Sequence, residues 1–277
     1  MKELKGRIAA VTGAASGLGR AMALAFADEG MHVALADVAD TGEVRAQVEA
    51  RGVRALAMQV DVSRADEVEG FAAQVEKELG PAALVCNNAG VAPSAEVWEM
   101  SLDDWRWILG VNLWGVINGV RAFTPRLLAR DAGHIVNTAS VAGLISPPGS
   151  GPYNVTKHAV VALSETLHHD LRSRGSAVGV SVLCPAYVPT RIAESERNRP
   201  AGYAPTPKSE RMRAREAMLR RAVASGRLSA EDVARAVVAA VRENRFYILT
   251  HPRIKGAIRA RMEDILDERT PRDPLAL

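Results

Sequence analysis

The stretch RIAAVTGAASGLG, residues 7–19, decides the fold. Its first half is an apolar run typical of a buried strand, and a helical pattern over residues 18–29 follows at once. The turn between them is rich in glycine, with the spacing G-x-x-x-G-x-G. Glycines at such a turn let backbone N–H groups approach a pyrophosphate, and the helix N-terminus adds a partial positive charge. We expect a dinucleotide to contact Gly13, Ser16, Gly17, Leu18 and Gly19, the alternative being a glycine-rich turn without a ligand.

The alternation of strand and helix continues nearly to the end of the chain. The apolar patterns predict further strands over residues 32–36, 55–60, 83–86, 134–138, 179–183 and 246–250. They predict helices between these strands over residues 41–51, 65–79, 103–130, 153–174 and 229–244, and two more at the edge over residues 212–228 and 252–267. Strands that alternate with helices indicate βαβ units. The sequence therefore predicts an α/β protein: a single-domain, Rossmann-like, doubly wound parallel sheet of about seven strands, over residues 1–277.

Composition narrows the class of protein. Apolar residues make up 48% of the chain and charged residues 24%, which is a globular balance and excludes a disordered or fibrous chain. The N-terminal residues lack the long apolar stretch of a signal peptide, and the uncharged residues 132–156 carry too much Gly, Pro, Ser and Asn for a membrane helix. We expect a soluble cytoplasmic protein with no membrane partner. Cys86 and Cys184 fall in predicted buried strands and are interpreted as core residues, and no metal site is predicted.

Positive charge is concentrated in one segment. Residues 191–227 contain ten Lys or Arg and four Glu, whereas the whole chain has a net charge of +3. Such a segment can attract an anionic substrate or a nucleic acid, but it is more often a solvated helix face. It lacks the interleaved aromatic residues on which bases stack, so nucleic acid is not an expected partner.

Two aspartates follow predicted strands. Asp37 ends the second strand, eighteen residues after Gly19. A carboxylate there can accept hydrogen bonds from the adenosine ribose and repels a 2′-phosphate, so NAD is favoured over NADP. The alternative for Asp37 is a turn residue. Asp61 follows the third strand and is expected near the adenine amine, with the same alternative.

Tyr153 and Lys157 lie four residues apart on a predicted helix and therefore share a face. A neighbouring ammonium stabilises phenolate over phenol, so we expect Lys157 to lower the pKa of Tyr153 toward the working pH. Ser140 lies thirteen residues before the tyrosine. Together the three groups can move a proton on and off an alcohol oxygen.

These elements, in this order, resemble the short-chain dehydrogenases/reductases over roughly residues 6–190 and 229–250. The motifs that carry the resemblance are Thr12-Gly13-x-x-x-Gly17-x-Gly19, Asp61-Val62, Asn87-Asn88-Ala89-Gly90, Asn112, Ser140, Tyr153-x-x-x-Lys157 and the stretch from Pro185 to Thr190. The family usually has Pro-Gly where this chain has Pro185-Ala186. Gly tolerates dihedral angles that Ala does not, so this departure affects the expected fit of the nicotinamide.

The resemblance implies a role for each catalytic residue. Tyr153 is the expected general acid/base, and Lys157 lowers its pKa and binds the nicotinamide ribose. Ser140 is expected to orient the substrate oxygen, and Asn112 to hold a water that links Lys157 to solvent. For Ser140 the alternative is a loop cap, and for Asn112 a helix kink caused by side-chain-to-backbone bonding.

The resemblance also implies the remaining cofactor contacts and the architecture around the site. The expected contacts are Val62, Asn88, Ala89, Gly90, Tyr153, Lys157, Pro185, Val188 and Thr190. Residues 190–228 correspond to a helical substrate lid, and residues 252–277 to a C-terminal extension. The expected assembly is a homotetramer or homodimer through the helices that contain Asn112 and Tyr153.

The function predicted from these observations is hydride transfer between NAD(H) and a secondary alcohol or its ketone. The expected substrate pocket is mostly apolar, which favours a hydrophobic or cyclic substrate. Its predicted lining residues are those of the lid together with Val91, Ala92, Trp98, Val141, Ala142, Leu144 and Tyr187. The alternative is a non-catalytic nucleotide-binding regulator or scaffold with the same fold, because fold alone does not establish activity.

Overall fold

A parallel sheet of seven strands forms the centre of the protein, in the order β3-β2-β1-β4-β5-β6-β7. The computed structural model describes residues 1–276. The strands are β1 Ile8–Thr12, β2 His32–Asp37, β3 Ala55–Gln59, β4 Leu84–Asn87, β5 His134–Thr138, β6 Gly179–Leu183 and β7 Tyr247–Ile248. The predicted doubly wound α/β fold is confirmed, although β7 is shorter than predicted. The strand order reverses between β1 and β4, and ligands of such sheets bind at the carboxyl ends of the strands at this point.

Helices cover both faces of the sheet. Within residues 1–276 they are α1 Gly17–Asp28, α2 Gly42–Glu49, α3 Ala65–Glu78, α4 Leu102–Leu109, α5 Gly115–Leu128, α6 Gly151–Ser173, α7 Glu210–Ala224, α8 Ala230–Glu243 and α9 Ile254–Leu266. One buried cluster joins α1, α2 and α8 to the sheet, and a second joins α3, α5 and α6. Alternate residues of β1 divide between them: Ala9 and Val11 belong to the first cluster, Ile8 and Ala10 to the second. Two-sided burial explains why the strands are continuously apolar.

The predicted long helix over residues 103–130 is interrupted. A π-helical segment, Gly110–Trp114, separates α4 from α5. The side chain of Asn112, within this segment, is fully buried and bonds the backbone of Val91 in another loop. A π turn carries one extra residue and commonly marks a functional site, and here it directs an amide inward. The alternative of a helix distortion with side-chain-to-backbone bonding is therefore met in part, since the helix is interrupted at Asn112 and the bonded backbone belongs to another loop.

The segment 190–228 packs against α4 through buried ion pairing. It contains a 3₁₀ stretch, Arg191–Asn198, followed by an irregular stretch and α7, which begins and ends slightly before the predicted helix. Arg199 donates to Asp104 at 2.6 Å, and both side chains are at least nine-tenths buried. Burial alone would raise the pKa of Asp104, but hydrogen bonds from Thr206, Arg199 and Ser101 outweigh it and lower that pKa.

Other cations of this segment are paired as well. Arg211 and Arg215 both reach Glu96, and Lys208 pairs with Glu216. Three of the ten cations, Arg199, Arg211 and Arg215, therefore pair with acidic residues outside the segment. The other arginines of α7 are exposed, as the interpretation as a solvated helix face expects, and they are Arg213, Arg220 and Arg221.

Candidate active site

The glycine-rich turn is shaped by close backbone contacts. Gly13 has a φ of +67°, and a Cβ built on it would lie 2.8 Å from the Cα of Ala89. A Cβ on Gly19 would lie 2.0 Å from the carbonyl oxygen of Gly13, which no side chain tolerates. The first turn of α1 follows directly, so its free N–H groups face the end of the sheet. This geometry suits a pyrophosphate, and it is what the G-x-x-x-G-x-G spacing predicts.

Asp37 is held firmly at the end of β2. Its carboxylate accepts hydrogen bonds from the N–H of Ala15, in the glycine-rich turn, at 2.9 Å and from the N–H of Ala39 at 3.0 Å. Asp61 is held in the same manner by the N–H and hydroxyl of Ser63, at 2.9 and 2.7 Å. Both carboxylates border the same cavity. Asp37 therefore stabilises a turn at the strand end, which is the alternative interpretation from the sequence, and it also borders the cavity.

Asn88 joins the ends of three strands. Its N–H donates to the Thr12 hydroxyl at 2.9 Å, and its side-chain amide donates to the Thr12 carbonyl at 3.0 Å. Its side-chain oxygen accepts from the Thr138 hydroxyl at 3.3 Å. These bonds connect β1, β4 and β5, so the loop that continues through Ala89 and Gly90 runs along the cavity in a fixed position.

Ser140, Tyr153 and Lys157 meet at the end of β5. Ser140 accepts from the N–H of Ala142 at 3.1 Å and donates to the Pro185 carbonyl at 3.3 Å, so it caps a loop and also borders the cavity. Tyr153 lies in the first turn of α6 and Lys157 one turn later. The Lys157 ammonium lies 5.6 Å from the centre of the Tyr153 ring and donates to the Thr138 carbonyl at 2.9 Å.

Asn112 approaches this group from the other side of Gly90. A Cβ built on Gly90 would lie 3.5 Å from the Asn112 side-chain oxygen and 3.7 Å from the Lys157 nitrogen. These distances are ordinary van der Waals contacts, and they show that both polar groups lie close to the same backbone position. The Asn112 amide also donates to the Thr156 hydroxyl at 3.3 Å, and that hydroxyl donates to the Tyr153 carbonyl at 2.8 Å.

Burial governs the protonation of the tyrosine and the lysine. Desolvation raises the pKa of Tyr153, and a hydrogen bond with Ser140 lowers it only in part. Desolvation also lowers the pKa of Lys157 to about 8. The expectation that Lys157 brings the pKa of Tyr153 down is not met in this structure, because the loss of solvent around the phenol dominates. Tyr153 is accordingly a neutral phenol at neutral pH.

One cavity of about 580 Å³ unites nearly all of the predicted site residues. This volume lies in the range of small-molecule sites. From the predicted set it is bordered by Gly13, Ser16, Gly17, Leu18, Asp37, Asp61, Val62, Asn88, Ala89, Gly90, Ser140, Tyr153, Lys157, Pro185, Val188 and Thr190. Gly19 and Asn112 lie behind this wall, and they support it through the contacts described above.

The predicted substrate pocket is partly corrected. Val91, Ala92, Val141, Ala142 and Tyr187 border the cavity as expected. Trp98 does not, since its side chain is 80% exposed. Leu144 does not either, because it packs on the apolar cluster formed by α6 and β6. Both predictions relied on nearness in sequence, which does not determine the direction of a side chain in a loop.

The segment 190–228 borders the cavity, as the sequence predicted for a lid. It contributes Arg191, Arg197, Tyr203, Leu219 and Val223, and the C-terminal part contributes Ile254, Pro274 and Leu275. The sequence predicted the lid only as a segment, and it did not predict the C-terminal wall residues, because neither group follows a strand-to-helix pattern.

Ala186, the departure from Pro-Gly, is accommodated without strain. Among residues 1–276 the only non-glycine residues with positive φ are Asp131, Asn244 and Glu268. The N–H of Ala186 donates to the His251 ring at 3.2 Å, which holds the loop from outside. His251 is a supporting residue that the sequence did not reveal.

Comparison with known proteins shows the family of the chain. The family model described as short chain dehydrogenase matches residues 7–201. The chain belongs to the short-chain dehydrogenase/reductase family. It is thus an oxidoreductase of that family, and the resemblance seen in the motifs is confirmed. Within residues 1–276, no cluster of His, Cys, Asp and Glu suits a metal ion, and no helix has the length and apolar character needed to cross a bilayer.

Similar proteins extend over essentially the whole chain. A short-chain dehydrogenase/reductase from Burkholderia phymatum, solved in complex with NAD, is 48% identical, with a TM-score of 0.97 and coverage of 100% of both chains. The 1-deoxy-11-beta-hydroxypentalenate dehydrogenase of Streptomyces exfoliatus is 36% identical over 95% of this chain and 89% of its own length. The C alpha-dehydrogenase of a Sphingobium species is 32% identical over 98% of this chain and 89% of its own.

Proposed function

We propose that this short-chain dehydrogenase/reductase interconverts a secondary alcohol and its ketone with NAD(H). The observation that carries the proposal is that Ser140, Tyr153 and Lys157 border the same cavity as the glycine-rich turn and Asp37. A proton-transfer group and a dinucleotide site within one cavity are what coupled proton and hydride transfer requires. The similarity to a protein solved with NAD supports the choice of cofactor.

In this proposal the cavity would hold NAD along its whole length. The first turn of α1 and the glycine-rich turn would hold the pyrophosphate. Asp37, with its carboxylate fixed by two backbone N–H groups, would accept hydrogen bonds from the ribose hydroxyls and repel a 2′-phosphate. Asp61 and Val62 would lie beside the adenine, and the residues from Pro185 to Thr190 beside the nicotinamide. When bound, NAD supplies the hydride acceptor, and NADH the hydride donor.

Tyr153 moves the proton. In alcohol oxidation the Tyr153 phenolate would take the O–H proton while the carbon that bears this oxygen gives its hydride to the bound NAD, and in ketone reduction the phenol would donate a proton to the carbonyl oxygen. The raised pKa of Tyr153 keeps the phenol protonated at neutral pH, so reduction is favoured there and oxidation accelerates as the pH rises. Ser140 orients the substrate oxygen by a hydrogen bond.

Lys157 and Asn112 would support proton transfer by Tyr153. The Lys157 ammonium would bind the nicotinamide ribose and balance the charge of a phenolate. Asn112 would hold a water beside Lys157 for proton exchange with solvent, and the approach of both groups to Gly90 supports this role.

The proposal extends to the domain organisation, the localisation and the assembly of the protein. Residues 1–277 would act as one catalytic domain, with 190–228 as the substrate lid and 252–277 as a C-terminal extension. We further propose a cytoplasmic enzyme, and a homotetramer or homodimer formed through α5 and α6. A nucleic-acid partner is not proposed, because much of the basic segment is engaged in internal ion pairs.

The test is a panel of secondary alcohols and ketones of increasing size, assayed with NAD(H) and NADP(H) by absorbance of the reduced nicotinamide. The expected result is turnover of at least one apolar substrate pair with NAD preferred. A parallel NADH titration by fluorescence separates the alternative. Tight NADH binding with no turnover of any panel member would favour the non-catalytic regulator, and no binding would exclude both.

A further inference from the structure

The C-terminal tail, residues 267–276, turns back along α9. Glu268 has a φ of +53°, and the N–H of Arg269 donates to the Asp264 carbonyl at 2.8 Å, which ends the helix. Arg272 then donates to the carbonyl of Ala260, four residues earlier on α9, at 2.7 Å. The tail therefore runs antiparallel to the helix, toward its first residue.

A buried carboxylate holds the tail in this position. Asp264 is 4% exposed, and its two side-chain oxygens accept from the Arg272 guanidinium at 2.9 and 3.1 Å. It also accepts from the Arg272 backbone N–H at 3.1 Å. Arg272 thus offers two donors to one carboxylate, the Nε–H, which is shared between both oxygens, and the backbone N–H, so backbone and side chain are fixed together. We name this pair, Asp264 and Arg272, the tail latch.

The latch directs the end of the tail to the catalytic cavity. Residues 273–276 form a turn, in which the N–H of Ala276 donates to the Asp273 carbonyl at 3.2 Å. This turn directly follows Arg272, and its residues Pro274 and Leu275 border the cavity that contains Tyr153. Ile254, the first residue of α9, borders the same cavity.

Apolar side chains border the cavity both from the tail and from α7. Besides Ile254, Pro274 and Leu275, they include Leu219 and Val223 of α7. Leu275 is 51% exposed, so a ligand that packs against it would remove further apolar surface from water. The Asp273 carboxylate accepts from the Leu275 N–H at 2.9 Å, which fixes the turn that presents the leucine.

We propose that the C-terminal tail is a wall of the substrate site, with Leu275 as a specificity-determining side chain and the tail latch as its positioning device. The inference rests on the proposed oxidoreductase function and deepens it. It implies an apolar substrate whose part remote from the reacting hydroxyl reaches the tail. Small alcohols that fill only the region around Ser140 and Tyr153 would not depend on Leu275.

The test uses introduced thiols on the full chain. Cys86 and Cys184 are fully buried, so a single exposed cysteine can be modified selectively. Leu275→Cys is compared with Leu266→Cys, whose leucine is 80% exposed on α9 and does not border the cavity. Each variant is assayed before and after reaction with N-phenylmaleimide, on the smallest and largest secondary alcohols that the wild type oxidises.

The expected result is selective. Modification of Leu275→Cys should lower kcat/KM for the largest alcohol by roughly tenfold or more, with little change for the smallest, because the effect is one of pocket shape. The NADH dissociation constant should stay within about twofold, and modified Leu266→Cys should match the wild type on every measure. Equal effects on both alcohols, or none on either, would overturn the inference. A wild type that binds NADH but oxidises no alcohol would overturn the proposed function, and the substrate role of the tail with it.

The latch is tested by a double-mutant cycle with a chain that ends at Asp273. If Arg272 acts only by placing the tail, Arg272→Gln should raise KM for the largest alcohol in the full chain and add nothing in the shortened one. A merely structural role would lower the melting temperature in both chains without this difference between the chains in the effect on KM. Additive effects on KM would contradict a positioning role for Arg272.

Discussion

The two halves of the cavity are built in different ways. The nucleotide half lies at the ends of strands β1 to β5, where short turns and backbone hydrogen bonds place each group within a few residues of the sheet. The outer half is formed by the segment 190–228 and the C-terminal tail, which are held by side-chain ion pairs. Arg199 of the segment pairs with Asp104, 95 positions away, and the tail is held by the pair of Asp264 and Arg272. The difference shows that the nucleotide half depends on backbone shape and the outer half on side-chain attachment. A substitution that disrupts one half should therefore leave ligand binding by the other half intact.

The largest effect should come from breaking backbone shape. Gly19→Ala would place a methyl group 2.0 Å from the Gly13 carbonyl oxygen, so the turn must distort. We expect the free energy of unfolding to fall by at least about 3 kcal/mol and NADH binding to be lost.

Gly70→Ala is the matched control for that variant. Gly70 lies inside α3, and its Cβ would meet nothing within 4 Å. Alanine there should leave NADH binding unchanged and stabilise the protein by about 0.5–1 kcal/mol. Thermal unfolding and NADH fluorescence measure both quantities, and equal behaviour of the two variants would contradict a special role for the turn.

The next effect should come from detaching the outer half. Asp104→Ala removes a helix cap and leaves the buried Arg199 with only Glu196 as an acidic partner. We expect a loss of about 3 kcal/mol in unfolding free energy and a higher KM for the alcohol, with the NADH dissociation constant nearly unchanged. Asp103→Ala, which breaks a more exposed pair with Arg106, should cost less than about 1 kcal/mol. Loss of NADH affinity in Asp104→Ala would show that the halves are not separate.

A smaller effect is expected at Asp37, the residue of the nucleotide half that is proposed to favour NAD over NADP. Asp37→Ser removes the carboxylate that would accept the ribose hydroxyls and repel a 2′-phosphate. We expect kcat/KM with NAD to fall by about thirtyfold while that with NADP rises, since hydrogen bonds to a charged group contribute about 2 kcal/mol. Asp40→Ser is the control, because Asp40 is exposed and does not border the cavity. An unchanged NAD-to-NADP ratio in Asp37→Ser would remove Asp37 from the cofactor site.

The smallest effect concerns pH. Burial lowers the pKa of Lys157 to about 8 in the protein without cofactor, below its ordinary value of about 10.4. The ammonium is therefore lost as the pH rises through about 8, and with it a donor to the cofactor ribose. NADH titrations should show affinity that weakens several-fold from pH 7 to pH 9. Lys157→Met should bind NADH more weakly at pH 7. Between pH 7 and pH 9 the titration signal of this variant should change no more than the fluorescence of free NADH does. A flat wild-type profile would argue against the role of Lys157.

The same division explains what the sequence predicted. Alternating strands and helices, the glycine-rich turn, Asp37 and the Ser140, Tyr153 and Lys157 set all follow from local patterns, and the structure brings them to one cavity. The π segment at Asn112 depends on a bond to Val91 in another loop, so helical periodicity could not reveal it. The partners of the basic segment depend on tertiary approach, and Leu275 has no local motif. The sequence predicted a lowered pKa for Tyr153, whereas burial raises that pKa in the structure. The extent to which a side chain is buried cannot be read from the sequence.

The central claim is that Tyr153 transfers the proton in a cavity shared with NAD, and Tyr153→Phe tests it most directly. Phenylalanine keeps the ring but removes the hydroxyl, so the NADH dissociation constant should stay close to that of the wild type. The measurement is kcat for a secondary alcohol that the wild type oxidises, with NAD, at a pH where wild-type oxidation is fast. The account predicts a fall of about 10²–10⁴-fold, the usual contribution of general acid–base catalysis. Full turnover by the variant would contradict it.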